Sequence, residues 1–184
     1  MLEIGRVNRL RIIETRANGL LLDAGETLSL LLPVEQVDRD YQCGESLEVF
    51  VYADADGNPV ASTRPALAEV GQVAWLEIVE VNQLGAFADW GLPKDLFIPF
   101  AEQQYPLREG QYALVKIYLD NQNRLAGSTR IDHWIVDDAS DLVPGQEVTL
   151  MIADRTDMGF KAVINNHSWG LLYRNELFQE IRKG

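Results

Sequence analysis

The chain repeats itself. At a shift of 66 positions Gly5 falls on Gly71, Gly19 on Gly85, Asp23 on Asp89, Gly25 on Gly91, Pro33 on Pro99 and Gly44 on Gly110. The second half of the unit keeps that register: "VYAD" at 51–54 falls on "IYLD" at 117–120, and "STR" at 62–64 on "STR" at 128–130. Chance does not hold one register across so many turn glycines and short motifs, so the pattern calls for two like domains in tandem. A third, partial copy runs through "PGQEVTLMIADRTDMGFKAVINNHSWGLLYRNELF", where Gly145 and Gly159 are 14 apart, as Gly71 and Gly85 are. After "NELFQEIRKG" the first two units would supply a glycine and two further strands, so the third unit is either degenerate or, as expected here, cut short from a longer native protein. The domains expected are residues 1–66, 67–138 and 139–184.

Within a unit the apolar pattern is that of strands. In the second unit "QVAWLEIVEV" is long and β-rich, "GAFADWG" is short, and "DLFIP" is a continuous apolar run. "YALVKIYL" and "NRLAGST" follow, joined by "DNQ", a hairpin turn by composition. One helical turn is expected around "FAEQQ". Five antiparallel strands in so few residues are too few for a two-sheet sandwich, but they can close into a small Greek-key barrel with no exposed edge. The expected fold is therefore all-β, a tandem of small five-stranded OB-type barrels with the third incomplete. Gly85 and Gly91 suit corners of such a barrel, and "DADG" at 54–57 suits a tight turn between the last two strands of the first unit. As a calcium loop, "DADGN" lacks the later Glu and further ligands.

Composition narrows the function. With 28 acidic and 16 basic residues the formal net charge is −12, and each unit is acidic on its own. Nucleic acid gripped through bulk attraction needs clustered Lys and Arg, so any nucleic-acid site here has to be local. No apolar run is long enough to span a bilayer and the N-terminus carries charges throughout, which points to the cytoplasm. Cys43 stands alone, without His or Cys at ligand spacing, and reads as a packing thiol. There is no Gly-rich phosphate loop, and the two histidines, His133 and His167, have no evident nucleophile beside them. An enzyme is not expected, nor a metal, a cofactor or a small-molecule substrate.

At "GAFADWGLPKDLFIP…EQ" the sequence resembles the ribosomal S-one RNA-binding domain, whose second and third strands read Gly-Ala-Phe-x-Asp, a turn, and a short apolar strand running towards a Glu. "IYLDNQNRLAGSTR" is similar to that family's last two strands, which end in Ser-x-Lys or Ser-x-Arg. "DWGLPKDLFIP", with the duplicated unit before it and "TDMGFKAVINNHSWGLLYRNELF" after it, looks more narrowly like the conserved virulence factor B family of bacterial RNA-binding proteins. That resemblance implies three S-one-type domains followed by a winged helix, of which this chain would lack the last part.

The wider resemblance implies a site on the face made by the second and third strands, with aromatics stacking bases and a basic residue at the end of the fifth. Carried over by position, these are Phe87, Phe97 and Arg130; Trp90 and Lys94, in the turn, are added on their chemistry. Two departures stand out: Pro99 occupies a position where many members have His, and the first unit has Leu20 and Leu21 in place of Ala86 and Phe87, which leaves it without a stacking ring. Alternation puts Phe87 and Asp89 on one face of their strand and Ala86 and Ala88 on the other, so Phe87 is expected outward and the alanines inward. Trp90 could instead cap the barrel, and Trp75 and Tyr118 read as core or barrel-end residues. Lys94, Lys116, Arg124 and Arg130 are the cations at hand. "INNHSW" is either a hairpin loop or a group, with His167 and Trp169, able to hold a single-stranded base. The expected activity is non-catalytic binding of single-stranded RNA on the second barrel, weak to moderate in affinity, in regulation of gene expression after transcription. The alternative is an acidic scaffold docking on a basic partner such as the ribosome or the transcription machinery.

Overall fold

A computed structural model describes residues 2–54, 56–138, 140–178 and 180–184. In the first unit β1 (Arg6–Arg16), β2 (Gly19–Asp23), β3 (Ser29–Pro33), β4 (Ser46–Ala53) and β5 (Pro59–Ser62) form one antiparallel sheet in the order β3-β2-β1-β4-β5. β3 returns against β5, which closes the sheet into a barrel. The second unit repeats this with β6 (Val73–Val81), β7 (Gly85–Asp89), β8 (Leu96–Pro99), β9 (Tyr112–Leu119) and β10 (Leu125–Ser128), in the order β10-β9-β6-β7-β8, with β8 against β10. Single 3₁₀ turns follow the third strand of each, Val34–Gln36 and Phe100–Glu102, where the helical turn was expected. The fold is all-β, tandem OB-type barrels with a smaller third sheet.

Period-two alternation fills both barrels. Ile12, Leu22, Leu32, Val49 and Val51 are buried in the first, and Leu76, Ile78, Ala86, Ala88, Leu96, Ile98, Val115 and Ile117 in the second. Sharp curvature of the long first strand comes from a bulge, which lets one strand bend around a small barrel. The bulges lie between Ile12 and Glu14, Ile78 and Glu80, and Ile152 and Asp154, one in each unit.

The repeat glycines have a physical cause. A Cβ on Gly85 would lie 2.5 Å from the Ile98 carbonyl oxygen, and on Gly19 or Gly159 it would collide with the carbonyls of Leu32 or Leu172. The neighbouring strand crosses so closely at this corner that only hydrogen fits. Gly25 and Gly91, at φ +100° and +92°, make the next turn, each donating its N–H to the preceding Asp23 or Asp89 carboxylate. The turn expected over 54–57 includes Ala55, outside the described residues. Beside it, Asp54 Oδ1 accepts the N–H groups of Asp56 and Asn58, as Asp120 Oδ1 accepts those of Gln122 and Arg124.

In the third unit β11 (Leu150–Arg155), β12 (Gly159–Ile164) and β13 (Ser168–Tyr173) form a three-stranded sheet. The register continues to Gly184, whose N–H donates to Ile152 O as those of Gly44 and Gly110 do to Ile12 O and Ile78 O. Val136 bridges to Ser168 and so lays the connecting segment along this sheet. Among the described residues no helix is long and apolar enough to cross a membrane.

Candidate nucleic-acid interface

Alternation along β7 places its side chains as expected: Ala86 and Ala88 are buried, Phe87 is half-buried and Asp89 exposed. Phe87 pairs in register with Phe97 on β8, and the two rings stack with centroids 5.2 Å apart at 39°. Outward aromatics on neighbouring strands make a flat apolar patch of the kind on which a planar ring stacks. The patch is rimmed by carboxylates. Asp89 follows Phe87 on the same face and Asp95 precedes Phe97; burial, then Asp89 and Glu80, push the Asp95 carboxyl above its usual value.

Trp90 and Lys94 lie in the turn between β7 and β8, and the structure uses both to join the barrels. Trp90 is 2% exposed, with its ring edge-on to Phe50 of β4, centroids 5.6 Å apart, and its Nε1–H donating to Lys94 O at 2.7 Å. Neither face of the indole is open to a base, so this ring caps the barrel. Lys94 Nζ donates to Ala53 O at 3.0 Å and Asp54 O at 2.6 Å, at the end of β4. The turn that looked like an exposed loop is the seam between the first two units.

Where that seam opens there is a cavity of about 360 Å³, lined by residues of both barrels. Tyr52 and Ala53 form its wall from the first barrel, facing Phe97, Pro99, Tyr118 and Leu125 of the second. Asp120 and Arg124 close one side as an ion pair at 2.7 Å, and that hydrogen-bonded guanidinium holds the Asp120 carboxyl below its usual range. Tyr118 stacks on the exposed Trp134, centroids 5.0 Å apart. Thus Phe87 and Phe97 stand together, Phe97, Trp90 and Lys94 share the cavity lining, and Arg130 is absent from it. Arg130 Nη1 instead donates to Ala101 O, and the Arg130 N–H to Ser128 Oγ. The repeated "STR" is structural in both units: the Arg64 N–H likewise donates to Ser62 Oγ, and Thr63 and Thr129 bond to Gln36 and Glu102 of the 3₁₀ turns.

Sequence reasoning missed Tyr52, Asp120 and Trp134. One signal was available, since "VYAD" and "IYLD" align Tyr52 with Tyr118 and Asp54 with Asp120. In the third unit "INNHSW" is a hairpin turn, with Asn165 and Asn166 at φ +50° and +61°. Lys161 Nζ lies over the Trp169 ring, 3.7 Å from its centroid, which covers one face of that indole.

These observations define a protein built from tandem OB-type barrels. A family model described as the S1 domain matches residues 4–64, the first barrel. The chain is 26% identical over 141 residues to the protein YitL of Bacillus subtilis (strain 168), covering 71% of this chain and 46% of YitL, so it spans less than half of that relative. In structure it is similar to a multidomain protein with nucleic acid binding domains from Streptococcus pneumoniae, with a TM-score of 0.57 at 18% identity. That likeness covers 98% of this chain and 66% of the other, and it is a likeness of fold.

Proposed function

We propose that this chain is a non-catalytic binding protein for single-stranded RNA, with its main site on the second barrel and a role in controlling gene expression after transcription. The observation that carries the reading is the outward Phe87–Phe97 pair beside the cavity that holds Lys94 and Arg124. Phe87 and Phe97 stack bases, Arg124 meets phosphate, and Trp90, Lys94 and Arg130 hold the wall that presents them. The S1 match and the nucleic acid binding domains of the S. pneumoniae protein support this, as does the narrower resemblance to the conserved virulence factor B family of bacterial RNA-binding proteins. The functional units run over residues 1–66, 67–138 and 139–184.

Stacking on an aromatic is worth about 1–3 kcal/mol per base. Two such contacts with few phosphate contacts, on an acidic surface, correspond to roughly micromolar affinity. Fluorescence anisotropy of labelled oligo-U and mixed single-stranded RNA, at low and moderate salt, tests the reading. Salt-sensitive binding that Phe87→Ala and Phe97→Ala abolish is the expected outcome; equal binding by these variants removes the second-barrel site.

A second reading, docking on a basic partner such as the ribosome or the transcription machinery, is favoured by the carboxylates Glu80, Asp89 and Asp95 around the aromatic pair. Loss of partner capture in Asp89→Asn and Asp95→Asn, with RNA binding undiminished, would select it.

A further inference from the structure

We propose that the cavity at the seam is a pocket for a single nucleobase of the bound RNA, shared between the two barrels, in which the Tyr52 hydroxyl fixes the edge of the base. This rests on the RNA reading above and extends it to a residue of the first barrel, whose own face has no stacking ring.

The cavity, at about 360 Å³, falls within the usual range of small-ligand sites, roughly 300–1,000 Å³. Its walls combine apolar and aromatic side chains, Leu96, Phe97, Pro99 and Leu125 on one side and Tyr52 on the other, with the charged Lys94, Asp95, Asp120 and Arg124. Such a slot suits a flat heteroaromatic ring, and the few polar groups in it then set the orientation. Tyr52 is 7% exposed and lines the cavity opposite Phe97, as its repeat equivalent Tyr118 also lines it. A phenol hydroxyl on the wall of such a slot can donate to, or accept from, the polar edge of a base. Burial, then Asp54, raises the Tyr52 pKa, so the hydroxyl stays protonated at neutral pH and able to donate.

Position along the RNA follows from Phe97. Its ring stacks on Phe87 and also lines the cavity, so a strand lying across Phe87 brings a neighbouring nucleotide to the opening. Contacts on either side of Tyr52 fix the first barrel against the second. Lys94 Nζ grips Ala53 O and Asp54 O, the carbonyls just after Tyr52, and Phe50 packs on Trp90 just before it. The repeat has thus placed equivalent tyrosines, Tyr52 and Tyr118, in one pocket, one from each barrel.

The test is anisotropy with single-stranded oligo-A, oligo-C, oligo-G and oligo-U, comparing wild type, Tyr52→Phe, Ala53→Leu, Phe97→Ala and, as a hydroxyl deletion outside the cavity, Tyr112→Phe. The proposal expects Tyr52→Phe to weaken at least one of these RNAs about tenfold, the scale of one buried hydrogen bond. Ala53→Leu, which narrows the slot from its wall, should weaken the same RNA, with Tyr112→Phe at wild-type affinity. Unchanged binding in both Tyr52→Phe and Ala53→Leu, while Phe97→Ala loses it, overturns the pocket and leaves the RNA site standing. No binding by wild type at low salt overturns both.

Discussion

The two seams of this molecule place unlike residues at equivalent positions of the repeat, beside an apolar cluster in each case. Between the first and second units the residue at the seam is Phe50, whose ring meets Trp90 inside a common core with Tyr52 and Leu92. Sixty-six positions on, between the second and third units, the residue is Lys116. It is 7% exposed, and its Nζ donates to Gly71 O and to Asn166 O of the β12–β13 turn, while Asn166 Oδ1 accepts the Val73 N–H. Both seams bury apolar area, and the second adds a buried, hydrogen-bonded charge where the first has a ring. The buried group at the first position is an apolar ring, whereas that at the second is titratable.

The largest effect should come from the apolar seam. Trp90→Ala removes a ring that is almost fully buried and should cost about 3–5 kcal/mol in urea unfolding, since truncating a buried aromatic loses both transfer free energy and packing. Lys116→Met keeps the aliphatic stem but leaves the Gly71 and Asn166 carbonyls short of a donor, for which about 1–3 kcal/mol is expected. If Lys116→Met proves the costlier of the two, the ranking of the seams is reversed. Lys94→Met should cost about 1 kcal/mol, because its hydrogen bonds to the first barrel are partly solvated.

The seams should also differ in their response to pH. Burial lowers the pKa of Lys116 from its ordinary 10.5, so between the folded value and 10.5 the unfolded chain binds more protons than the folded one. Stability should then rise with pH through that window, and the rise should vanish in Lys116→Met but persist in Trp90→Phe. Thermal unfolding followed from neutral to alkaline pH reads this directly. The smallest effect on stability belongs to Phe87→Ala, under about 1 kcal/mol for a half-exposed ring, and it separates the binding face from the seams because it is the variant expected to abolish RNA binding.

Most of the architecture was legible because strands and turns are local. Period-two alternation put Ala86 and Ala88 inward and Phe87 outward, and each long first strand, each corner glycine and the 3₁₀ turn after Pro99 lie where the pattern put them. Phe87 and Phe97 could be recognised as partners because a hairpin joins them. The rest of the site was not legible in that way. Trp90 and Lys94 have the chemistry of a binding loop and Arg130 the position of a family contact, yet their partners are the ring of Phe50, the carbonyls of Ala53 and Asp54, and the carbonyl of Ala101.

What could be read from residue order alone is what depends on neighbours a few positions apart: the strands, the turn glycines, the orientation of each side chain and the tandem plan itself. Which turn residues are free to meet a ligand was settled by docking, since Lys94 lies 41 positions from its acceptor Ala53. No local periodicity carries that information. The cavity between Tyr52 and Phe97 comes into being when the two barrels bury Phe50 and Trp90 against each other.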